Sequence, residues 1–265
     1  VRLSDREVAL EQSSSPQGQH ECLKIAHRGA SALEPGNTLR AFEAAVDLGA
    51  DMIEVDVRLS KDGQPVIIHD ATLETTTNGS GYVKDKTLLE LKQLDAGQRE
   101  RIPSLQEAID FARGRCGLYI ELKAPATPGP VVEAVRANEF GREVIISSFD
   151  HALLKEVKEL APEMPTSVLV GQTNGDFVGM ARAAGADYVH FCWERRSPTP
   201  HKLLSPELVT KIHEQGLGII IWHEERPEEI REILKYGIQG ICSNRPDLLS
   251  ASTSSLDGES TDCKA

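Results

Sequence analysis

Five side chains able to bind a metal or move a proton, His27, Glu54, Asp56, His69 and Glu121, lie in or at the ends of short apolar runs. The runs are Leu23-Lys24-Ile25-Ala26-His27, Met52-Ile53-Glu54-Val55-Asp56-Val57, Pro65-Val66-Ile67-Ile68-His69 and Leu118-Tyr119-Ile120-Glu121-Leu122-Lys123. Successive side chains of a strand point to opposite faces, so Glu54 and Asp56 share one face while Ile53, Val55 and Val57 share the other. Two carboxylates on one face of an apolar strand repel each other and are costly to desolvate. A hard divalent cation between them removes both costs.

Glu121 supplies a third oxygen from another strand, since neighbouring strands lie only about 4.8 Å apart. All-oxygen ligation by Glu54, Asp56 and Glu121 favours Mg²⁺ or Ca²⁺ over Zn²⁺, with Mn²⁺ also admitted. His27 and His69 titrate near neutrality in water, which suits one as base and the other as acid. Arg28 and Lys123 put positive charge beside the carboxylates and so point to an anionic substrate. Gly29 gives the backbone a tight exit after Arg28. Glu34 and Asn37 fall in the first strand-to-helix loop, with Asn37 also a candidate helix cap. Trp222 ends an apolar run and offers a wall for a glycerol or alkyl portion, or core packing. Residues 75–82 form a polar loop placed to cover the site. These residues describe a metal-assisted enzyme with a two-histidine proton relay, a chemistry that suits phosphodiester cleavage.

The elements that must position these groups recur regularly. Strands are predicted at 23–27, 51–57, 118–122, 144–148, 166–170, 187–191, 217–222 and 239–242, several of them rich in Val and Ile. Helices are predicted over 38–48, capped by Asn37, and from the capping box Ser104-Leu105-Gln106-Glu107. Others are predicted at 129–138, 150–160, 175–184, 205–215 and 226–236. Eight strands with intervening helices predict a closed (β/α)₈ TIM barrel. A doubly wound open sheet would need a phosphate-binding glycine fingerprint after the first strand, and none is there. Residues 65–69 make a ninth strand. Asp62-Gly63 predicts a two-residue hairpin that sets His69 opposite Asp56, beside the carboxylates.

Composition narrows the class. The 265 residues are 40% hydrophobic, enough for one large domain. A net charge of -12 argues against an electrostatic nucleic-acid binder. Cys22, Cys116, Cys192, Cys242 and Cys263 show no paired close spacing, so free thiols in a reducing compartment are expected. The polar residues 1–21 and the Ser/Thr/Asp-rich 250–265 read as tails around a catalytic unit at 22–249. The first residues do not resemble a secretory signal, and no run reaches membrane-spanning length; the expectation is a cytoplasmic enzyme without stable membrane insertion.

His27-Arg28-Gly29, Glu34-Pro35-Gly36-Asn37-Thr38, Glu54-Val55-Asp56-Val57, His69-Asp70 and Glu121-Leu122-Lys123, in that order, resemble the glycerophosphodiester phosphodiesterase family. The resemblance runs from about Ile25 to Pro246 and includes Thr76-Thr77-Asn78-Gly79-Ser80-Gly81-Tyr82-Val83, Ile102-Pro103-Ser104-Leu105 and Ser147-Ser148-Phe149. It implies a distorted TIM barrel with a small insertion after the second strand, about 70–103 here. It further implies Mg²⁺ or Ca²⁺ on Glu54, Asp56 and Glu121, His27 and His69 as the acid-base pair, and phosphate contacts from Arg28 and Lys123. The implied reaction turns a glycerophosphodiester and water into sn-glycerol 3-phosphate and an alcohol. One histidine, assigned as His27, deprotonates the glycerol 2-hydroxyl for attack on phosphorus. His69 protonates the leaving alcohol, and water opens the cyclic phosphate; direct attack by water is the alternative course.

The chain departs from that pattern at Trp222-His223-Glu224-Glu225-Arg226-Pro227, where a small or hydroxyl residue and then an asparagine are usual. The closing Thr-Asp-Pro becomes Ser243-Asn244-Arg245-Pro246. Both changes bear on the alcohol-side pocket, and Cys192-Trp193-Glu194-Arg195-Arg196 adds a charged strand-end loop. Two rivals share the acidic arrangement. A phospholipase D-like enzyme on sphingomyelin or lysophospholipids would want an apolar rim, and a noncatalytic metal-clamped barrel would need neither histidine.

Overall fold

Nine strands and the helices between them organise the chain in the computed structural model, which describes residues 22–250. The strands are β1 (Leu23–His27), β2 (Met52–Leu59), β3 (Pro65–Ile67), β4 (Gly117–Leu122), β5 (Val144–Ser148), β6 (Thr166–Val170), β7 (Tyr188–Cys192), β8 (Gly218–Trp222) and β9 (Gly240–Ser243). All but β3 are parallel, and the sheet closes through the β1–β2 and β1–β9 pairings into an eight-stranded barrel with helices outside. This is the (β/α)₈ architecture expected from the alternation of apolar runs and helical patterns. Of the segments read as tails, residues 1–21 and 251–265 lie outside the described residues.

Strand alternation divides the apolar residues into two cores. Outward-facing Ala26, Ile53, Val55, Val57, Leu118, Ile120 and their counterparts pack beneath the helices. Inward-facing Ile25, Met52, Tyr119, Ile145, Ile220 and Cys242 fill the amino-terminal half of the barrel. Two residues further along these inward rows the chemistry changes: Ile25 gives way to His27, Met52 to Glu54 and then Asp56 two residues on, and Tyr119 to Glu121. The apolar plug therefore forms the floor on which the polar groups stand at the carboxyl-terminal mouth.

Strand β2 is longer than its neighbours, and β3 uses the extra length. Its first residues pair with β1, up to His27 beside Glu54. Its last residues, Val57 to Leu59, pair antiparallel with Ile67 to Pro65. The hairpin register differs by one residue from the expected one, so Ile68 rather than His69 comes level with Asp56; its N–H donates to the Asp56 carbonyl at 2.8 Å. The cause is the turn. Residues 61–63 make a three-residue loop closed by Ser60 N–H to Gln64 O at 3.0 Å, with Gly63 at φ +75° in the left-handed region. After β3, residues 70–103 carry the short helix α2 (Leu88–Leu91) and fold over a small core of Val66, Ile68, Leu73, Val83, Leu91 and Ile102.

Helix α1 (Leu39–Asp47) starts one residue later than predicted: its cap is Thr38, whose hydroxyl accepts from Ala41 N–H, and Asn37 is left for another task. Arg28 and Gly29 sit at φ +56° and +80°, so the chain reverses sharply after His27. A Cβ on Gly29 would stand 2.5 Å from the Ala41 carbonyl oxygen of α1. Gly29→Ala is therefore expected to cost about 2–4 kcal/mol in denaturant unfolding, from backbone strain plus overpacking. Gly63→Ala has open space around it and should cost only about 1 kcal/mol. Equal losses would show that close approach to α1 is not what Gly29 provides.

Candidate active site

The register of two strands assembles the acidic cluster. Asp56 is level with Glu121 across β2 and β4, and Glu54 precedes Asp56 on the same inward row. One carboxylate oxygen from each of Glu54, Asp56 and Glu121 lies within 4.8 Å of the other two. At an effective dielectric near 20, each such pair of charges repels by about 3 kcal/mol. Two cations offset part of this. Arg28 Nε lies 3.0 Å from Asp56 Oδ2, and Lys123 Nζ lies 2.7 Å from Glu121 Oε1 and 3.5 Å from Asp56 Oδ1. Asn37, itself in the left-handed region at φ +60°, donates from Nδ2 to Asp56 Oδ2 at 2.8 Å, and Arg28 N–H donates to Glu54 Oε2 at 3.0 Å.

Three carboxylates against two cations leave one negative charge unbalanced, and the titration behaviour follows. Burial, then Asp56 and Glu121, push the Glu54 carboxyl well above its ordinary range. Burial and Asp56 raise Glu121 to about 7. Burial works against Asp56 too, but Arg28 and Lys123 carry it below the usual carboxylate value. Glu54 Oε1 and Asp56 Oδ1 are buried without a hydrogen-bond partner. Raised carboxyls and buried oxygens without a hydrogen-bond donor fit a divalent cation with oxygen ligands.

The histidines flank this cluster. His27 Nδ1 is 2.6 Å from Asn244 Oδ1, its Nε2 is 3.8 Å from Glu54 Oε2, and burial together with Arg28 lowers it to about 3. His69 Nδ1 is 2.6 Å from Asp70 Oδ1, and burial lowers its affinity for a proton. Both rings line one cavity of about 320 Å³ with Arg28, Asn37, Thr76, Thr77 and Asn244. Trp222 meets His27 edge-on, with ring centroids 5.1 Å apart.

Arg40 binds the Glu34 carboxylate in the first loop through two hydrogen bonds. In the 192–196 loop, Trp193 is buried against Phe191 with ring centroids 4.1 Å apart. Sequence reasoning missed three supports. Asp70 anchors His69 and is its chain neighbour. Arg58 donates to the His69 and Lys123 carbonyls, holding the β3 exit against the β4 exit. Asn244 is 217 residues from its partner His27; its place at the end of the last barrel strand and the altered 243–246 segment marked the position, but not the contact.

Comparisons with known proteins identify the family. Residues 27–248 match the model of the glycerophosphoryl diester phosphodiesterase family. The chain belongs to this family. A glycerophosphodiester phosphodiesterase of Caldanaerobacter subterraneus subsp. tengcongensis is 38% identical over 240 residues, 86% of this chain and 96% of that protein. Another, from Bacillus subtilis, is 32% identical over 85% of this chain and 84% of its own length. Among solved structures, an Oleispira antarctica phosphodiesterase in complex with the product sn-glycerol-3-phosphate superposes with a TM-score of 0.78 at 28% identity. It spans 87% of this chain and 96% of that one. The glycerophosphodiester phosphodiesterase of Agrobacterium tumefaciens gives 0.76 at 30% identity, over 87% of this chain and all of that one. Glycerophosphodiester phosphodiesterase activity is thereby assigned to the chain. Among its described residues no helix is long and apolar enough to cross a membrane.

A pH test of the acidic cluster follows from the raised Glu121. The native state keeps a proton that the unfolded chain releases above about 4.5, so the stability tied to that proton is complete below 4.5. It is lost as pH rises through about 7. In chelator, Glu121→Gln should gain stability on the wild-type protein across that window. The check is urea unfolding at pH 4.5 and 7.5, and a constant difference would refute the raised carboxyl.

Proposed function

We propose that the chain hydrolyses glycerophosphodiesters to sn-glycerol 3-phosphate and an alcohol, using a divalent cation, Mg²⁺ or Ca²⁺, on Glu54, Asp56 and Glu121. The observation that carries the reading is the pair of imidazoles lining one cavity beside the acidic cluster. Each ring is anchored at Nδ1 to an oxygen, which turns Nε2 away from the anchor. A relative from Oleispira antarctica is in complex with sn-glycerol-3-phosphate, which supports the same product here.

In this reading the Arg28 guanidinium and the Lys123 ammonium hold the phosphate and offset the charge that grows on it. Each already touches a carboxylate, so they reach the anion from the floor of the site. When bound, the cation supplies the remaining positive charge and acidifies a neighbouring hydroxyl. Neutral His27 takes the proton of the glycerol 2-hydroxyl on Nε2, and that oxygen attacks phosphorus. His69 in its protonated form, with Nδ1–H held by Asp70, gives the proton on its Nε2 to the departing alcohol oxygen and is left neutral. Water then opens the cyclic phosphate with the two roles exchanged. Trp222 walls the glycerol side, and Asn37 keeps Asp56 oriented.

Several outcomes are expected. His27→Ala and His69→Ala each should lower kcat by about 10²–10⁴-fold while calorimetry still detects cation binding, whereas Glu54→Ala should lose both. EDTA should stop release of glycerol phosphate from glycerophosphocholine, and added Mg²⁺ or Ca²⁺ should restore it. A substrate lacking the 2-hydroxyl should be inert. Turnover of that substrate would favour direct attack by water, and histidine variants with wild-type turnover would remove the assigned relay.

A further inference from the structure

His27 can act as a base at Nε2 only if its single proton in the neutral state sits on Nδ1, and the partner of Nδ1 does not by itself enforce that. The partner is an amide. A carbonyl oxygen turned to the ring requires Nδ1–H, whereas an NH₂ turned to it would make Nδ1 the acceptor and send the proton to Nε2. The two amide orientations have almost the same shape, so packing does not choose between them. Something must choose the face of Asn244 that His27 meets.

The neighbours of Asn244 make that choice. Its Nδ2 donates to Glu225 Oε1 at 2.5 Å, and its Oδ1 accepts from Ser31 Oγ at 2.8 Å as well as meeting His27 Nδ1 at 2.6 Å. A hydroxyl can donate or accept, so Ser31 would adapt to either orientation. An ionised carboxylate only accepts, and Glu225 therefore admits the NH₂ alone. The loop after β8 holds Glu225 in place: its N–H donates to Glu224 Oε1 at 2.9 Å, and Glu224 N–H donates to the Cys242 carbonyl of β9 at 3.1 Å. His223 stacks on the His27 ring at 5.8 Å, interplanar angle 15°, and limits its tilt.

We propose that Glu225 and Asn244 are positioning residues that fix the protonated nitrogen of His27: the carboxylate orients the amide, and the amide orients the imidazole with Nε2 unprotonated toward the substrate. This rests on His27 being the base. The two strand-end segments that depart from the family pattern, 222–227 and 243–246, thus form one device rather than two separate changes.

The test exploits the asymmetry between amide and carboxylate. Glu225→Gln keeps size and hydrogen bonding but can present either an oxygen or an NH₂, so it no longer selects an orientation. It is expected to lower kcat by about tenfold or more with KM nearly unchanged. Adding Asn244→Asp to Glu225→Gln restores the selection in reverse, because the new carboxylate accepts from His27 Nδ1–H whichever end the substituted amide presents. The double variant should recover most of the lost kcat. Nitrogen-15 NMR of the imidazole in chelator-treated protein gives a readout independent of turnover: Nδ1–H in wild type and double variant, and a mixture of tautomers in Glu225→Gln. A wild-type ring protonated on Nε2, a Glu225→Gln kcat within twofold of wild type, or a double variant no better than the single would each overturn the proposal. Wild-type turnover by His27→Ala would instead overturn the reading beneath it, so the two failures are told apart.

Discussion

Electrostatic repulsion among Glu54, Asp56 and Glu121 is the constraint to which the rest of the mouth responds. Their oxygens are held within 4.8 Å in a setting largely closed to water, where each unscreened pair works against folding. The barrel register imposes that approach, and the compensations are local: Arg28 and Asn37 reach Asp56 from the first loop, and Lys123 reaches in from β4's exit. These groups leave the balance one charge short. A mouth left one positive charge short suits a bound cation better than a fully neutralised one would.

Backbone strain serves the same end. Arg28 and Asn37, both non-glycine residues, occupy the left-handed region near φ +60°, and each lays a side chain on Asp56. Such conformations persist only where surrounding contacts hold them. Here the contacts are the close seat of Gly29 on α1 and the Thr38 cap, which frees Asn37 from the helix. The first loop is thus an electrostatic device as much as a connection.

The strands and the acidic cluster were readable from the residues because strand periodicity is short and strict. Ile53, Val55 and Val57 alternate with Glu54 and Asp56, and that pattern admits one arrangement of faces. The predicted helices came within two residues for similar reasons, while the short α2 was not among them. What escaped depended on geometry that periodicity does not encode. The hairpin register moved by one because Gly63 made a three-residue loop out of a segment that also suits a two-residue turn. Asn37 and Thr38 are both good caps, and only the pull of Asp56 on Asn37 separates them. Glu34 lay in the right loop, but its pairing with Arg40 is a matter of side-chain rotamers. The reach of Asn244 to His27 joins the exits of the first and last barrel strands, a contact that no local pattern announces.

A closed barrel has no open flank, yet the additional strand β3 reintroduces one. Unpaired backbone donors and acceptors along such a flank invite other chains to dock and aggregate. The sequence deals with each position. Pro65 has no N–H to offer, Val66 is bridged to Ser104, and Ile67 N–H is taken by the Pro103 carbonyl at 2.8 Å. The strand that carries His69 to the mouth is therefore sealed by the segment leading into the next helix, which guards solubility as well as shape.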